Sequence, residues 1–129
     1  MEFTEPAGTS ANVLVVEDEP ALAAAVAEGL TDAGFTVDRA GDGEEALALV
    51  RDRAYDLIVC DLKMPRLDGK AFYRRLQTES PAMARRILFV TGDVAGTDAE
   101  LFLEETGARW LAKPFRLRDL LRATSEMLT

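Results

Sequence analysis

The chain has 129 residues, with 48% apolar and 29% charged, which favours one ordinary globular domain over two domains or a disordered chain. With no histidine and a single cysteine, it lacks imidazole acid–base chemistry, a disulfide framework and a multi-cysteine zinc site. The apolar stretches are too short for a membrane span, and a net charge of −8 opposes nonspecific binding to nucleic acid or anionic lipid.

Residues 1–11 read as a flexible tail. They have neither the basic start nor the apolar centre of a signal peptide, and the folded domain is expected over 12–129. Val13-Leu14-Val15-Val16 is a short apolar run followed at once by Glu17-Asp18-Glu19. Pro20 suits a first helical turn. Leu22, Val26, Ala27 and Leu30 then recur at helical spacing, and Gly34 is a natural stop. Residues 35–40 are a plausible second strand. Asp42 and Glu45 are spaced as an N-cap and its third-position partner, opening a helix with Ala46, Leu49 and Val50 on its inner face. Leu57-Ile58-Val59-Cys60 is the third apolar run and ends at Asp61. The loop Leu62-Lys63-Met64-Pro65-Arg66-Leu67-Asp68-Gly69 leads into a helix marked by Phe72, Tyr73 and Leu76. Ile87-Leu88-Phe89-Val90 is the fourth run and ends at Thr91-Gly92-Asp93. Thr97 or Asp98 can cap a helix carrying Leu101, Phe102 and Glu105, which stops near Gly107. Trp110-Leu111-Ala112 is a weaker fifth strand, ending at Lys113-Pro114-Phe115. Leu117, Leu120, Leu121, Met127 and Leu128 form a last amphipathic helix.

Five strand–helix units follow from this pattern. Runs that are apolar without alternation suit strands buried on both faces. Alternation of short strands with helices suits a parallel sheet. In such a sheet all the C-terminal strand ends share one edge, where ligands bind in open α/β folds. Glu17, Asp18, Asp61, Thr91 and Lys113 each follow an apolar run, so three carboxylates, a hydroxyl and an ammonium should converge. Crowded carboxylates repel unless a cation intervenes. A hard divalent ion such as Mg²⁺ suits all-oxygen ligands, and no soft-metal ligand set is available. A metal, an ammonium and a hydroxyl around one carboxylate make a site for a phosphoryl group on that carboxylate.

VLVVEDE, IVCDLKMPRLDG, FVTGD and LAKPF, in this order and each at a strand end, resemble the receiver domain of two-component response regulators over nearly the whole chain. The resemblance implies a flavodoxin-like doubly wound five-stranded parallel sheet of order 2-1-3-4-5, flanked by five helices. It makes Asp61 the phospho-acceptor, with Thr91 and Lys113 completing the catalytic set. Glu17, Asp18, Asp61 and the backbone carbonyl of Lys63 would hold Mg²⁺ or Mn²⁺, and Lys113-Pro114 would be a cis peptide. Thr91 and Trp110 become switch residues, and Lys63 and Asp93 residues that tune the lifetime of the phosphoryl group. The first acid is Glu17 where Asp is commoner, which still fits a water-mediated role.

Plainer readings stand beside these. Glu17 and Asp18 could cap the helix at Pro20, Asp61 could end its strand in a turn, and Thr91 could be an ordinary loop hydroxyl. Lys113 is harder to set aside, since the chain has three lysines against twelve arginines. Trp110 could be a half-buried aromatic packed on the last helix, and Cys60 core filler. The resemblance further implies a phosphohistidine donor, either a histidine kinase or a histidine phosphotransfer protein. It implies self-catalysed modification rather than an enzyme acting on a separate substrate, and a signalling face at 97–106, Trp110 and 117–128. A cytoplasmic location, no nucleic-acid or membrane partner, and a monomer or weak dimer go with it. No second, output domain is expected in the chain, which leaves a stand-alone receiver or one from a hybrid histidine kinase. The alternatives are a phosphorylation-independent interaction module on the same fold, or a phosphatase with an aspartyl-phosphate intermediate. The phosphatase would want a second acid where Lys63 stands.

Overall fold

The computed structural model describes residues 11–92 and 97–128. The strands are β1 (Asn12–Val16), β2 (Thr36–Ala40), β3 (Leu57–Asp61), β4 (Ile87–Thr91) and β5 (Arg109–Ala112). The helices are α1 (Pro20–Asp32), α2 (Gly43–Asp52), α3 (Gly69–Glu79), α4 (Pro81–Ala84), α5 (Asp98–Thr106) and α6 (Leu117–Leu128). The strands form one sheet of order β2-β1-β3-β4-β5, and all four pairings are parallel. This is the expected architecture with one addition. Five helices were expected, and α4 is a sixth. Pro81 starts a single turn immediately after Ser80 ends α3, too short for an apolar period to register.

The apolar runs work as the physics of a doubly covered sheet requires. β3 and β4 are buried at every position, and β1 at all but Asn12. Successive side chains point to opposite faces, so each run feeds two cores. Leu14, Val16, Ile58, Cys60, Ile87 and Phe89 pack with Leu47, Phe72, Leu76 and Phe102 from α2, α3 and α5. Val13, Val15, Leu57, Val59, Leu88 and Val90 pack with Val26 and Leu30 of α1 and Leu120 and Ala123 of α6. The edge strands β2 and β5 are largely exposed or half-buried, which is why their sequence signal is weaker. On α5, Phe102 and Leu103 turn inward while Leu101 is exposed. Gly107 ends that helix at φ 66°, a left-handed stop that glycine adopts without a steric cost.

Gly29 of α1 lies against Leu117 of α6, and an added Cβ there would lie 2.5 Å from Leu117 Cδ1, so that exposed side chain would have to turn aside. On the other face, α2 and α3 are tied near their C-terminal ends. Arg51 donates from Nε (2.8 Å) and Nη2 (2.7 Å) to Glu79, and Arg75 adds a longer bond. The Arg51 fork holds the Glu79 carboxyl down at about 2, with Arg75 assisting. A carboxyl depressed in the folded state stabilises above its unfolded value and loses that contribution as pH falls. Chemical denaturation should therefore show Glu79→Gln less stable than the parent at pH 7, with the gap closing between pH 4.5 and about 2 and shrinking in high salt. A gap that stayed constant over that pH range would show that the tie contributes through packing alone.

Candidate functional site

The strand order reverses at β1, because the chain goes from β1 to β2 on one side and returns to β3 on the other. A crevice forms outside the C-terminal ends at such a switch point. β1 delivers Glu17 there, with its N–H donating to the Ala40 carbonyl (3.0 Å) in continuation of the β2 ladder. β3 delivers Asp61 and β4 delivers Thr91. β5 ends at Ala112, opposite Thr91, and the Lys113 N–H donates to the Thr91 carbonyl at 2.7 Å. The Lys113–Pro114 peptide is cis.

The Lys113 ammonium lies between two acids. Nζ donates to Asp61 Oδ2 at 2.9 Å and to Glu17 Oε1 at 3.0 Å. Glu17 and Asp61 are 5% and 6% exposed, so both charges are largely withdrawn from water. Asp61 Oδ1 also accepts the Lys63 N–H at 3.2 Å, and Glu17 Oε2 the Glu19 N–H at 3.1 Å. Burial raises the Glu17 carboxyl above its ordinary value, against the opposing bond from Lys113, and the nearby Asp61 charge adds to the rise. Burial works against the Lys113 ammonium, but its bonds to Asp61 and Glu17 outweigh that and raise it.

Asp18 completes an acidic trio. Glu17, Asp18 and Asp61 each bring an oxygen within 4.8 Å of the others, with Asp18 exposed. The set is all oxygen and open to solvent on one side, which fits a hard divalent cation that keeps some of its waters. Cys60 faces the core, where burial pushes its thiol up and the Asp61 charge adds to the shift, so it offers no soft ligand. The helix-capping alternative describes Glu17 only in part. Glu19 is the N-cap of α1 and makes no side-chain cap bond; Glu17 accepts the Glu19 N–H with Oε2 while its Oε1 bonds Lys113.

Thr91 is buried at the end of β4, next to the β3 end that carries Asp61. Trp110 pairs with Phe89, two residues before Thr91, so the two-residue period puts Trp110, Phe89 and Thr91 on one face of the sheet. Trp110 is 37% exposed and lines a surface cavity with Glu100, Leu103 and Glu104, packing toward α5 rather than the last helix. Asp93, expected to tune the phosphoryl lifetime, lies outside the described residues.

Gly69 is a contributor that sequence reasoning passed over. A Cβ there would collide with the Asp61 carbonyl oxygen and lie 2.7 Å from Leu62 Cα, and the Gly69 N–H donates to the Leu62 carbonyl at 2.9 Å. Glycine at this point lets α3 begin directly against the end of β3. Its signal in the sequence was the Asp68-Gly69 pair, which also places a cap, since Asp68 accepts the Ala71 N–H at 2.9 Å.

Comparisons with known proteins agree with this geometry. A family model described as response regulator receiver domain matches residues 13–125. The transcriptional regulatory protein TcrA of Mycobacterium tuberculosis is 39% identical over 116 residues, covering 88% of this chain and 45% of that protein. The sensor kinase CckA of Brucella abortus is 34% identical over 121 residues, covering 92% of this chain and 13% of that protein. The chain thus spans less than half the length of either relative. Among solved structures, the chemotaxis protein CheY4 of Vibrio cholerae superposes with a TM-score of 0.83 at 32% identity, covering 93% of this chain and all of that one.

Lys113→Met should leave two buried acids facing each other without their shared donor. Thermal or chemical unfolding should register a loss of about 1–3 kcal/mol, and an added divalent cation should restore more stability to this variant than to the parent. Equal stability of the two proteins would show that the acids are hydrated well enough to need no partner.

Proposed function

The chain belongs to the response regulator receiver domain family, and from that premise we propose that Asp61 accepts a phosphoryl group in a Mg²⁺-dependent transfer. The observation that carries the reading is the buried Asp61 carboxylate, bonded to the Lys113 ammonium beside an all-oxygen trio.

An Asp61 carboxylate oxygen acts as nucleophile on phosphorus. The P–N bond of a phosphohistidine donor breaks, and the imidazole leaves with the electron pair. Glu17, Asp18, Asp61 and the Lys63 carbonyl would hold Mg²⁺ (or Mn²⁺). The ion supplies charge neutralisation at the phosphoryl oxygens when bound. Lys113 adds a second positive charge on the other side of Asp61. It is a compact ammonium, suited to following a carboxylate as it becomes an acyl phosphate. Thr91 supplies a hydroxyl that can meet a phosphoryl oxygen. Lys63 and Asp93 would set how quickly water removes the group. The protein modifies its own side chain and so is not an enzyme with a separate substrate.

The donor would be a histidine kinase or a histidine phosphotransfer protein, in a cytoplasmic setting. Matching segments in both a regulator and a sensor kinase support such a donor. Among the described residues no helix is long and apolar enough to cross a membrane. An aspartyl phosphate brings about −1.5 to −2 charge, which draws Thr91 and Lys113 toward it. Thr91 is one strand from Trp110 on the same sheet face, so the displacement would pass to α5, β5 and α6. A shift between two pre-existing arrangements suffices for this.

Intact mass after incubation with acetyl phosphate tests the acceptor. One added phosphoryl group is expected in the parent with Mg²⁺, and none in Asp61→Asn or without metal. Equal labelling of Asp61→Asn would place the acceptor elsewhere. Trp110 emission, read during the same reaction, should change with labelling, and a silent signal in a fully labelled sample would exclude coupling through Trp110.

A further inference from the structure

The loop between β3 and α3 contains a residue in a backbone conformation that its type disfavours. Arg66 has φ 64°, and it is the one non-glycine with positive φ among the described residues. A long side chain holds that region only where surrounding contacts impose it. Here the contacts are visible. Arg66 donates from Nε to Asp42 Oδ2 at 2.7 Å, and Nη2 bonds the same oxygen. Asp42 is 1% exposed, and its other oxygen accepts the Glu45 N–H at 2.9 Å as the N-cap of α2. One residue further along the loop, the Leu67 carbonyl accepts the Gly43 N–H at 2.9 Å. The packing there is so close that a Cβ at Gly43 would collide with that carbonyl.

Three hydrogen bonds therefore staple positions 66 and 67 to the N-terminus of α2. The opposite end of the loop is fixed by Gly69 against Leu62 and Asp61. Between the two fixed ends lies Lys63, whose N–H bonds Asp61 Oδ1. Exposed ion pairs are ordinarily weak, but the acceptor here is buried and already committed to a helix cap, so the guanidinium has one fixed destination. Backbone staples belong to the fold, whereas the Arg66 fork is a side-chain choice that sets the loop's resting shape.

We propose that Arg66, anchored on Asp42, is a positioning residue that holds the loop so that the Lys63 backbone is presented to Asp61 and to a divalent cation bound there. The proposal rests on the metal-dependent reading of the site given above. Residues that orient first ligands without touching the ion commonly change metal affinity by about tenfold or more when removed.

Arg66→Gly removes the fork without backbone strain, because glycine accepts φ 64°. Arg66→Asn, which also tolerates this region, removes the fork without the backbone freedom that glycine adds and should weaken Mn²⁺ binding alike. Arg66→Lys keeps the charge and loses the fork. Asp42→Ser keeps a capping oxygen and loses the carboxylate. Mn²⁺ binding is read from the free-ion electron paramagnetic resonance signal, and acetyl phosphate labelling is followed over a range of metal concentrations. In Arg66→Gly the half-saturating metal concentration should rise about tenfold, while the labelling rate at saturating metal stays within a factor of about two. Arg66→Lys should fall between the parent and Arg66→Gly. The Arg66→Gly/Asp42→Ser double variant should be no worse than the weaker single, since both remove one shared interaction. If Asp42→Ser fails to fold, the Arg66 variants decide the matter.

Amide hydrogen exchange gives a readout independent of metal, and the Lys63 amide should exchange faster in metal-free Arg66→Gly than in the parent. Unchanged Lys63 exchange together with unchanged Mn²⁺ affinity would overturn the proposal. A parent protein that binds Mn²⁺ but is never labelled would instead sink the phosphoryl-acceptor reading and leave the positioning role standing.

Discussion

The structure is organised around an ammonium held between two largely buried carboxylates at one edge of a parallel sheet. Lys113 reaches Asp61 and Glu17 across 52 and 96 residues of sequence, so the contact exists only once β1, β3 and β5 are all in register. Each carboxylate would be costly to bury alone. Their shared donor makes the pair tolerable, and the exposed Asp18 beside them leaves the cluster short of positive charge. That shortfall is the electrostatic reason a divalent cation fits this place.

The scaffold earns this site by keeping polarity out of everything else nearby. β1, β3 and β4 carry apolar side chains on both faces, into cores formed with α1 and α6 on one side and α2, α3 and α5 on the other. A rigid, dry sheet can then end in polar residues that converge without being drawn into the core. Tyr73, Phe89 and Phe102 form a mutual aromatic cluster with ring centroids 5.5–5.9 Å apart. The cluster lies under the face shared by Thr91 and Trp110, so a displacement at the strand end meets close-packed rings rather than a soft interior.

The loop that follows Asp61 is anchored at both ends. Gly69 brings α3 against the end of β3, Gly43 brings α2 against Leu67, and Arg66 reaches the buried Asp42. Asp42 joins two tasks, capping a helix and anchoring a loop. The Glu45 N–H, the largest contributor, and the Arg66 guanidinium together hold its carboxyl below the ordinary range despite burial. Helix α2 is in this sense part of the site, although none of its side chains belongs to the acidic trio.

Much of this was legible along the chain. The apolar runs marked β1, β3 and β4 because burial on both faces leaves no polar alternation, and Gly34 and Gly107 marked helix ends because they take positive φ. The polar residues after each run named Glu17, Asp18, Asp61, Thr91 and Lys113, since a parallel sheet puts all such ends on one edge. Asp42 was recognisable as a cap, although Glu45 returns its bond to Gly41 (2.7 Å) rather than to the cap residue itself. What the sequence could not carry was pairing between side chains of free reach. That Lys113 bonds both acids, that Arg66 turns back to Asp42, that Trp110 faces α5 and that α4 forms after Ser80 all depend on where elements land relative to one another. Periodicity and strand-end position are local and survive in one dimension, whereas hydrogen-bond partners are chosen by distances that exist only after the sheet has assembled.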